Sequence, residues 1–176
     1  MTLLLKFIDR ICYGAAVAAA TLLASLFILG FSEIVLRSAF RISLPFAVEY
    51  AGYLLVLVLF LGSGWTLSQG GHIRVNLVSE HIGSRAAKRL DLICTVVAFC
   101  VAGLLSFSMI GFAVGTWQRG TVSYFVSETP LAIPQMLLAI GLCILTLALF
   151  GRLLRLIYGE KRPETASKAS GQGVEV

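Results

Sequence analysis

The ionisable residues beside the long apolar stretches of this chain are its first candidates for chemistry, because a charge inside a bilayer is costly and is kept for a reason. Glu33 stands at the end of the first stretch, four residues before Arg37, and Glu49 stands at the start of the second. Their spacing favours an ion pair between Glu33 and Arg37 on one helix face, and a carboxylate near a helix N-terminus, such as Glu49, is stabilised by the helix dipole. Structural pairing or capping, contact with a partner, and proton or ion coupling therefore stay open for both glutamates.

The histidines and cysteines do not form a pattern that holds a haem or a metal. His72 and His81 lie nine residues apart beside the second apolar stretch, where neither would face a bundle interior as a haem ligand must. The cysteines lack metal-ligand spacing and a disulfide framework, which favours small apolar packing residues: Cys12, Cys94, Cys100 and Cys143. No phosphate loop, nucleophile constellation or carboxylate dyad is present, so we predict no enzyme, no catalytic residue, no metal and no cofactor.

The elements that would position these residues are four stretches without Asp, Glu, Lys or Arg, at 11–32, 50–71, 92–118 and 129–151. Each is long enough to cross the roughly 30 Å hydrocarbon core of a bilayer as a helix. Hydrophobic residues make up 58% of the chain and charged residues 13%, a charged fraction well below that of soluble domains. Four such stretches in 176 residues leave too little chain for a soluble globular domain. We predict an all-α membrane protein with four transmembrane helices.

The predicted domain organisation is one four-helix membrane domain, residues 1–158, followed by a disordered polar tail, 159–176. Its spans are predicted at about 11–36, 48–70, 91–118 and 130–157. The first apolar run is too long for an ordinary signal peptide, which favours an uncleaved span.

The basic residues are distributed unevenly between the connections. Eleven of the fourteen lie before the first span, between the second and third, or after the fourth, and three lie in the other two connections. The positive-inside rule therefore places both termini and the central connection in the cytoplasm. This asymmetry also accounts for the net charge of +5, so we predict no nucleic-acid partner.

The central connection, 72–90, separates apolar from basic residues on a helical wheel. This pattern predicts a short amphipathic helix on the cytoplasmic leaflet between helices 2 and 3, and an ordinary turn is the alternative. Gly83-Ser84 interrupts it, and Ser84 is predicted to cap the helix that runs into the third span.

Small residues and prolines give the remaining signals. Gly111 and Gly115 form a small-xxx-small motif, which permits close packing either within the bundle or against a partner subunit. Before the fourth span, Thr129 is a predicted N-cap and Pro130 suits the first helical position.

Together these features resemble the small membrane subunit (DctQ type) of tripartite ATP-independent periplasmic (TRAP) transporters. The resemblance covers about residues 5 to 157, and two departures are Asn76, where Asp is common, and Ala132, where an aromatic residue is frequent. The segments that carry it are Arg37, Ser43-Leu44-Pro45-Phe46-Ala47-Val48-Glu49-Tyr50, Phe60-Leu61-Gly62, Gly71-His72-Ile73-Arg74-Val75 and Thr129-Pro130-Leu131-Ala132-Ile133-Pro134-Gln135.

The resemblance implies a subunit of the bacterial inner membrane that binds no solute itself. It would scaffold a large elevator-type membrane subunit, which takes up an organic acid with sodium after a periplasmic binding protein delivers it. Membrane lipids would be further partners.

The resemblance also implies structural or partner-interface roles for particular residues. Arg37 and Glu49 would pair near the periplasmic face, and Gly62 would pack against a neighbouring helix. The entry of the fourth span would be set by Pro130, Pro134 and Gln135. The start of the interfacial segment would be anchored by His72, Ile73, Arg74 and Val75.

The alternative is a small four-helix exporter that works as a homo-oligomer and uses a membrane glutamate as its proton switch. Glu33 is the candidate in the first span, but its position at the end of that span argues against this class.

Overall fold

The computed structural model describes residues 2–68 and 84–158, and the described residues form four helices with no strand longer than one isolated bridge. We number the helices α1 (Thr2–Phe40), α2 (Ala47–Ser68), α3 (Ser84–Arg119) and α4 (Ala132–Tyr158). All four are long and apolar enough to cross a membrane, which confirms the predicted fold class. α3 begins at Ser84, and the cap by that residue stays a prediction. The predicted interfacial helix before that residue and the tail 159–176 lie outside the described residues.

The molecule has two ends. The termini end is where α1 begins and α4 ends, and the hairpin end is where residues 121–131 connect α3 to α4. At the hairpin end α3 is closed by Gly120, with φ of +63°, in a Schellman arrangement. The N–H of Gly120 donates to Trp117 O at 3.1 Å and that of Thr121 donates to Thr116 O at 3.3 Å. The left-handed conformation these bonds need is one that glycine adopts without strain.

α4 is the central helix of the fold. It contacts α1, α2 and α3, whereas α3 contacts α4 alone among the described helices, and α1 packs mainly on α2. In the most apolar 18-residue segment of each helix, 33% of the residues are buried for α4 and 11–17% for the other three helices. The fold is therefore a slab, with α1 and α2 on one side of α4 and α3 on the other.

Glycines set the close approach of α2 and α1 to α4. A Cβ built on Gly141 would lie 3.1 Å from Phe60 Cβ, and one on Gly64 would lie 3.2 Å from Ile144 Cγ2. Near the termini end, a Cβ on Gly151 would lie 3.3 Å from a methyl carbon of Ile8. Such small residues allow van der Waals packing between helices where lipid removes the hydrophobic drive.

The outer surfaces of the helices are apolar. Large side chains along α1 and α3 are more than half exposed, among them Phe27 and Ile34 on α1 and Leu104 and Phe107 on α3. In water such surfaces would mark an interaction site, and in a bilayer they face lipid or another membrane subunit.

Candidate functional site

Among the residues whose side chains the structure describes, Glu49 is the charged residue most enclosed by the fold. It lies in the first turn of α2 and is 4% exposed. Tyr53, one turn further along α2, donates its hydroxyl to Glu49 Oε1 at 2.6 Å, and Ser127 of the α3–α4 connection donates to Oε2. Hydroxyl donors thus satisfy both oxygens of a buried carboxylate, which would otherwise be costly to remove from water.

A second layer of hydroxyls surrounds this bond. Thr129 Oγ1 donates to Ser127 Oγ at 3.1 Å, and the Tyr50 hydroxyl lies 3.2 Å from Thr129 Oγ1. Residues 50 and 49 belong to α2, and residues 127 and 129 belong to the α3–α4 connection. The cluster therefore ties that connection to the first turn of α2.

The α3–α4 connection is a short hairpin, which we call the outer hairpin (121–131). Val122 and Pro130 form an antiparallel bridge, flanked by bonds from Ser123 N to Thr129 O at 2.9 Å and from Leu131 N to Thr121 O at 3.1 Å. Pro130 stands at the position of the bridge that needs no N–H donor, so the ladder loses nothing.

The predicted start of α4 is wrong by two residues. Thr129 is not an N-cap, because its carbonyl accepts from Ser123 in the outer hairpin, and Leu131 O takes the first helical bond, from Gln135 N at 3.3 Å. Pro134 lies in the first turn, where a missing N–H is tolerated. The Gln135 Oε1 atom is buried, with no hydrogen-bond partner among the described residues.

Glu33 joins α1 to the segment before α2. Arg37 Nη2 donates to Glu33 Oε1 at 2.6 Å, Ser43 Oγ donates to the same oxygen at 2.9 Å, and Leu44 N donates to Oε2 at 2.7 Å. The predicted Glu33–Arg37 pair is confirmed.

The predicted pairing of Arg37 with Glu49 is wrong. Arg37 pairs with Glu33 on its own helix, while Glu49 bonds to hydroxyls of α2 and the outer hairpin. The i, i+4 neighbour is already within reach of Arg37 and needs no ordering of a second helix.

Two ion pairs at the termini end were not predicted. Arg155 Nη2 donates to both carboxylate oxygens of Asp9, at 2.7 and 2.6 Å, and Arg152 pairs with Asp91. Both arginines belong to α4, and their partners belong to α1 and α3. Acidic residues among the basic ones at the starts of two spans were the signal that sequence reasoning missed.

The small residues singled out from the sequence have different surroundings. A Cβ on Gly62 would lie 3.7 Å from Ala19 Cβ of α1, so Gly62 packs within the chain. A Cβ on Gly111 would have no atom within 4 Å, and one on Gly115 would meet Arg119 of the same helix. His72, Ile73, Arg74 and Val75 lie outside the described residues.

Polar side chains do not form a path across the described part of the fold. Near the middle of the spans, Ser106 of α3 and Thr146 of α4 lie 3.0 Å apart, and each hydroxyl also bonds to a carbonyl one turn back. Within residues 2–68 and 84–158 no group of three or more His, Cys, Asp or Glu could hold a metal ion. A groove of about 520 Å³ between α3, α4 and the start of α1 is lined by apolar side chains and Cys143.

Comparison with known proteins supports the reading of these features as a transporter component. No curated protein matches the chain. The family model described as "Tripartite ATP-independent periplasmic transporters, DctQ component" matches residues 26–159, which includes the Glu33 and Glu49 clusters, the outer hairpin and all of α2, α3 and α4. This chain therefore belongs to the DctQ family, the small inner-membrane component of tripartite ATP-independent periplasmic transporters.

Proposed function

We propose that this chain is the fixed scaffold of its transporter. It would hold the large elevator-type membrane subunit during sodium-coupled uptake of an organic acid, which a periplasmic binding protein delivers. The observation that carries this proposal is the combination of uncovered apolar helix faces with charged clusters that, among the described residues, lie at the two ends of the slab.

The polar groups support a structural role for this chain. Glu33 and Glu49 lie at the hairpin end, while the Asp9–Arg155 and Asp91–Arg152 pairs lie at the termini end. Between them, the Ser106–Thr146 contact is neutral and serves helix packing. A solute or sodium ion crossing the membrane needs polar ligands at mid-depth, so we place those ligands on the large subunit.

The uncovered face of α3 is the strongest candidate for the surface that meets the large subunit. Gly103, Phe107 and Gly111 follow one another at four-residue intervals and so share a face. The two glycines have open space where a Cβ would be, and Phe107 is 80% exposed. A helix of another subunit could approach this face closely. The Gly111-xxx-Gly115 motif would then serve packing against a partner subunit, which is the second of the two roles predicted for it.

The bonded ends would make the slab stiff. An elevator-type transporter needs a fixed part against which its transport domain moves. The contacts at both ends of the slab join segments that are distant in sequence. Glu49 links α2 to the outer hairpin, and Arg155 and Arg152 link α4 to α1 and α3.

We propose that the termini end faces the cytoplasm, on the strength of the eleven basic residues on that side. The segment with His72, Ile73, Arg74 and Val75 would then lie on the cytoplasmic leaflet, and the outer hairpin would face the periplasm.

The test is to fill the α3 face and follow assembly. Gly111→Leu should reduce the amount of large subunit that copurifies with the chain, while leaving the chain folded. Gly52→Leu is the matched control, because Gly52 lies on α2 and also has open space around its Cβ position. Equal recovery of the large subunit with both variants would contradict the assignment of this face.

Reconstitution of the chain by itself separates the scaffold from the exporter. A scaffold should show no transport without the large subunit. Transport by the chain alone, lost in Glu33→Gln, would favour the exporter.

A further inference from the structure

The outer hairpin has two faces of opposite character. Ser123 is 7% exposed and Ser127 bonds to Glu49, so these two side chains point towards α2. Other side chains of the hairpin point away: Val122 is 47% exposed, Tyr124 101% and Val126 82%. Phe125, in the turn of the hairpin, is exposed as well, at 51%. These side chains give the hairpin an apolar outer face, which the exposed Glu128 follows in the chain.

The hydrogen bonds of the hairpin fix its level relative to the helices. Ser127 bonds to Glu49 and Thr129 bonds to Tyr50, which are residues in the first turn of α2. The hairpin therefore lies beside the first turn of α2 rather than above its end. Because α2 crosses the membrane from about that turn, the hairpin lies at the membrane–water boundary.

Aromatic side chains mark the same boundary on the neighbouring helices. Trp117, at the end of α3, is 63% exposed, and Phe46 and Tyr50, at the start of α2, are 41% and 40% exposed. Tyrosine and tryptophan are enriched at this depth because their rings are apolar and their polar tips reach water. The hairpin lies at the level of these aromatic side chains, because Thr129 lies 3.2 Å from the Tyr50 hydroxyl.

We propose that the outer hairpin is a membrane anchor, whose face of Val122, Tyr124 and Val126 inserts into the lipid headgroup layer at the hairpin end. Glu49 holds the opposite face through Ser127, so that the apolar side chains are presented to lipid in a fixed orientation. The backbone bonds across the bridge satisfy polar groups that would lack partners wherever the hairpin reaches the hydrocarbon.

Spin labels test this proposal on the full chain in liposomes of phosphatidylethanolamine and phosphatidylglycerol. Val126→Cys and Tyr124→Cys, each in a background without the four native cysteines, place a nitroxide on exposed positions where folding is not disturbed. Membrane insertion predicts that each label collides more often with oxygen, which partitions into lipid, than with a water-soluble nickel complex. Adding Ser127→Ala should shift the collision ratio towards the nickel complex, because the hold by Glu49 is lost.

Two results would overturn the anchor. Preferential collision with the nickel complex would show that the hairpin is in water. Equal ratios with and without Ser127→Ala would show that Glu49 does not orient it. Adding the large subunit or the binding protein then distinguishes a protein partner, which would shield the label from both reagents. Because the first measurement uses the chain alone, its failure leaves the scaffold proposal standing.

Discussion

The Asp9–Arg155 pair is the contact whose loss should affect the fold most specifically, because it joins the first helix to the last. Asp9→Asn keeps the shape of the side chain and removes its charge. The Arg155 guanidinium, which is 12% exposed, would then keep its charge without an acidic partner at this position. We expect α1 to detach from α4 at the termini end, where Ile8 also packs against Gly151.

The size of the effect follows from the partial burial of the pair. Exposed ion pairs contribute about 0–1 kcal/mol, whereas removing one partner of a fully buried pair costs about 3–5 kcal/mol. The Asp9 side chain is 33% exposed, so this pair lies between the two cases. We expect Asp9→Asn to lower the free energy of unfolding by about 1–2 kcal/mol.

A double-mutant cycle with Asp9→Asn and Arg155→Gln measures the pair directly. Unfolding by SDS in mixed micelles can be followed by the fluorescence of Trp65, whose ring lies 5.2 Å from Tyr13 of α1. Lys6→Gln is the control, because it changes the net charge at an exposed position of the same helix.

The reasoning would be refuted by a coupling free energy below about 0.3–0.5 kcal/mol, the level at which independent sites add. An effect of Lys6→Gln as large as that of Arg155→Gln, which lowers the net charge by the same amount, would likewise show that net charge, and not the pair, determines the stability.

Three further outcomes follow from contacts elsewhere in the slab. Gly141→Leu should prevent α2 from packing on α4 and abolish recovery of monodisperse protein in size-exclusion chromatography, whereas Gly52→Leu should not, because its Cβ position is open. Ser106→Ala should cost about 0.6 kcal/mol in SDS unfolding, the usual value for a hydrogen bond between membrane helices, and an identical loss with the exposed Ser108→Ala would contradict this. Glu33→Gln should speed proteolysis between residues 41 and 46, since the segment loses its ionised acceptor, and an unchanged cleavage rate would argue against that contact.

The four spans could be predicted because each depends on a local property of the chain. An uncharged run of about 20 residues is sufficient to cross a bilayer whatever its neighbours are. The Glu33–Arg37 pair was predictable for the same reason, since both groups lie on one helix turn.

The contacts of the two end clusters could not be predicted, because they depend on which helices lie next to one another in the fold. Glu49 and Ser127 are 78 residues apart, and Asp9 and Arg155 are 146 apart. Nothing local indicated that α4 would be the central helix, so the partners of its two arginines were missed. The prediction of an N-cap at Thr129 was wrong for a similar reason, because the Thr129 carbonyl accepts a hydrogen bond from Ser123 of the hairpin.

The measurement that tests the scaffold account most directly is purification of the tagged chain from its native membranes in a mild detergent, with mass spectrometry of the proteins recovered. The account predicts a larger polytopic subunit in roughly stoichiometric amount. Recovery of the chain only with itself would contradict the account and would make Glu33 and Glu49 the next residues to change.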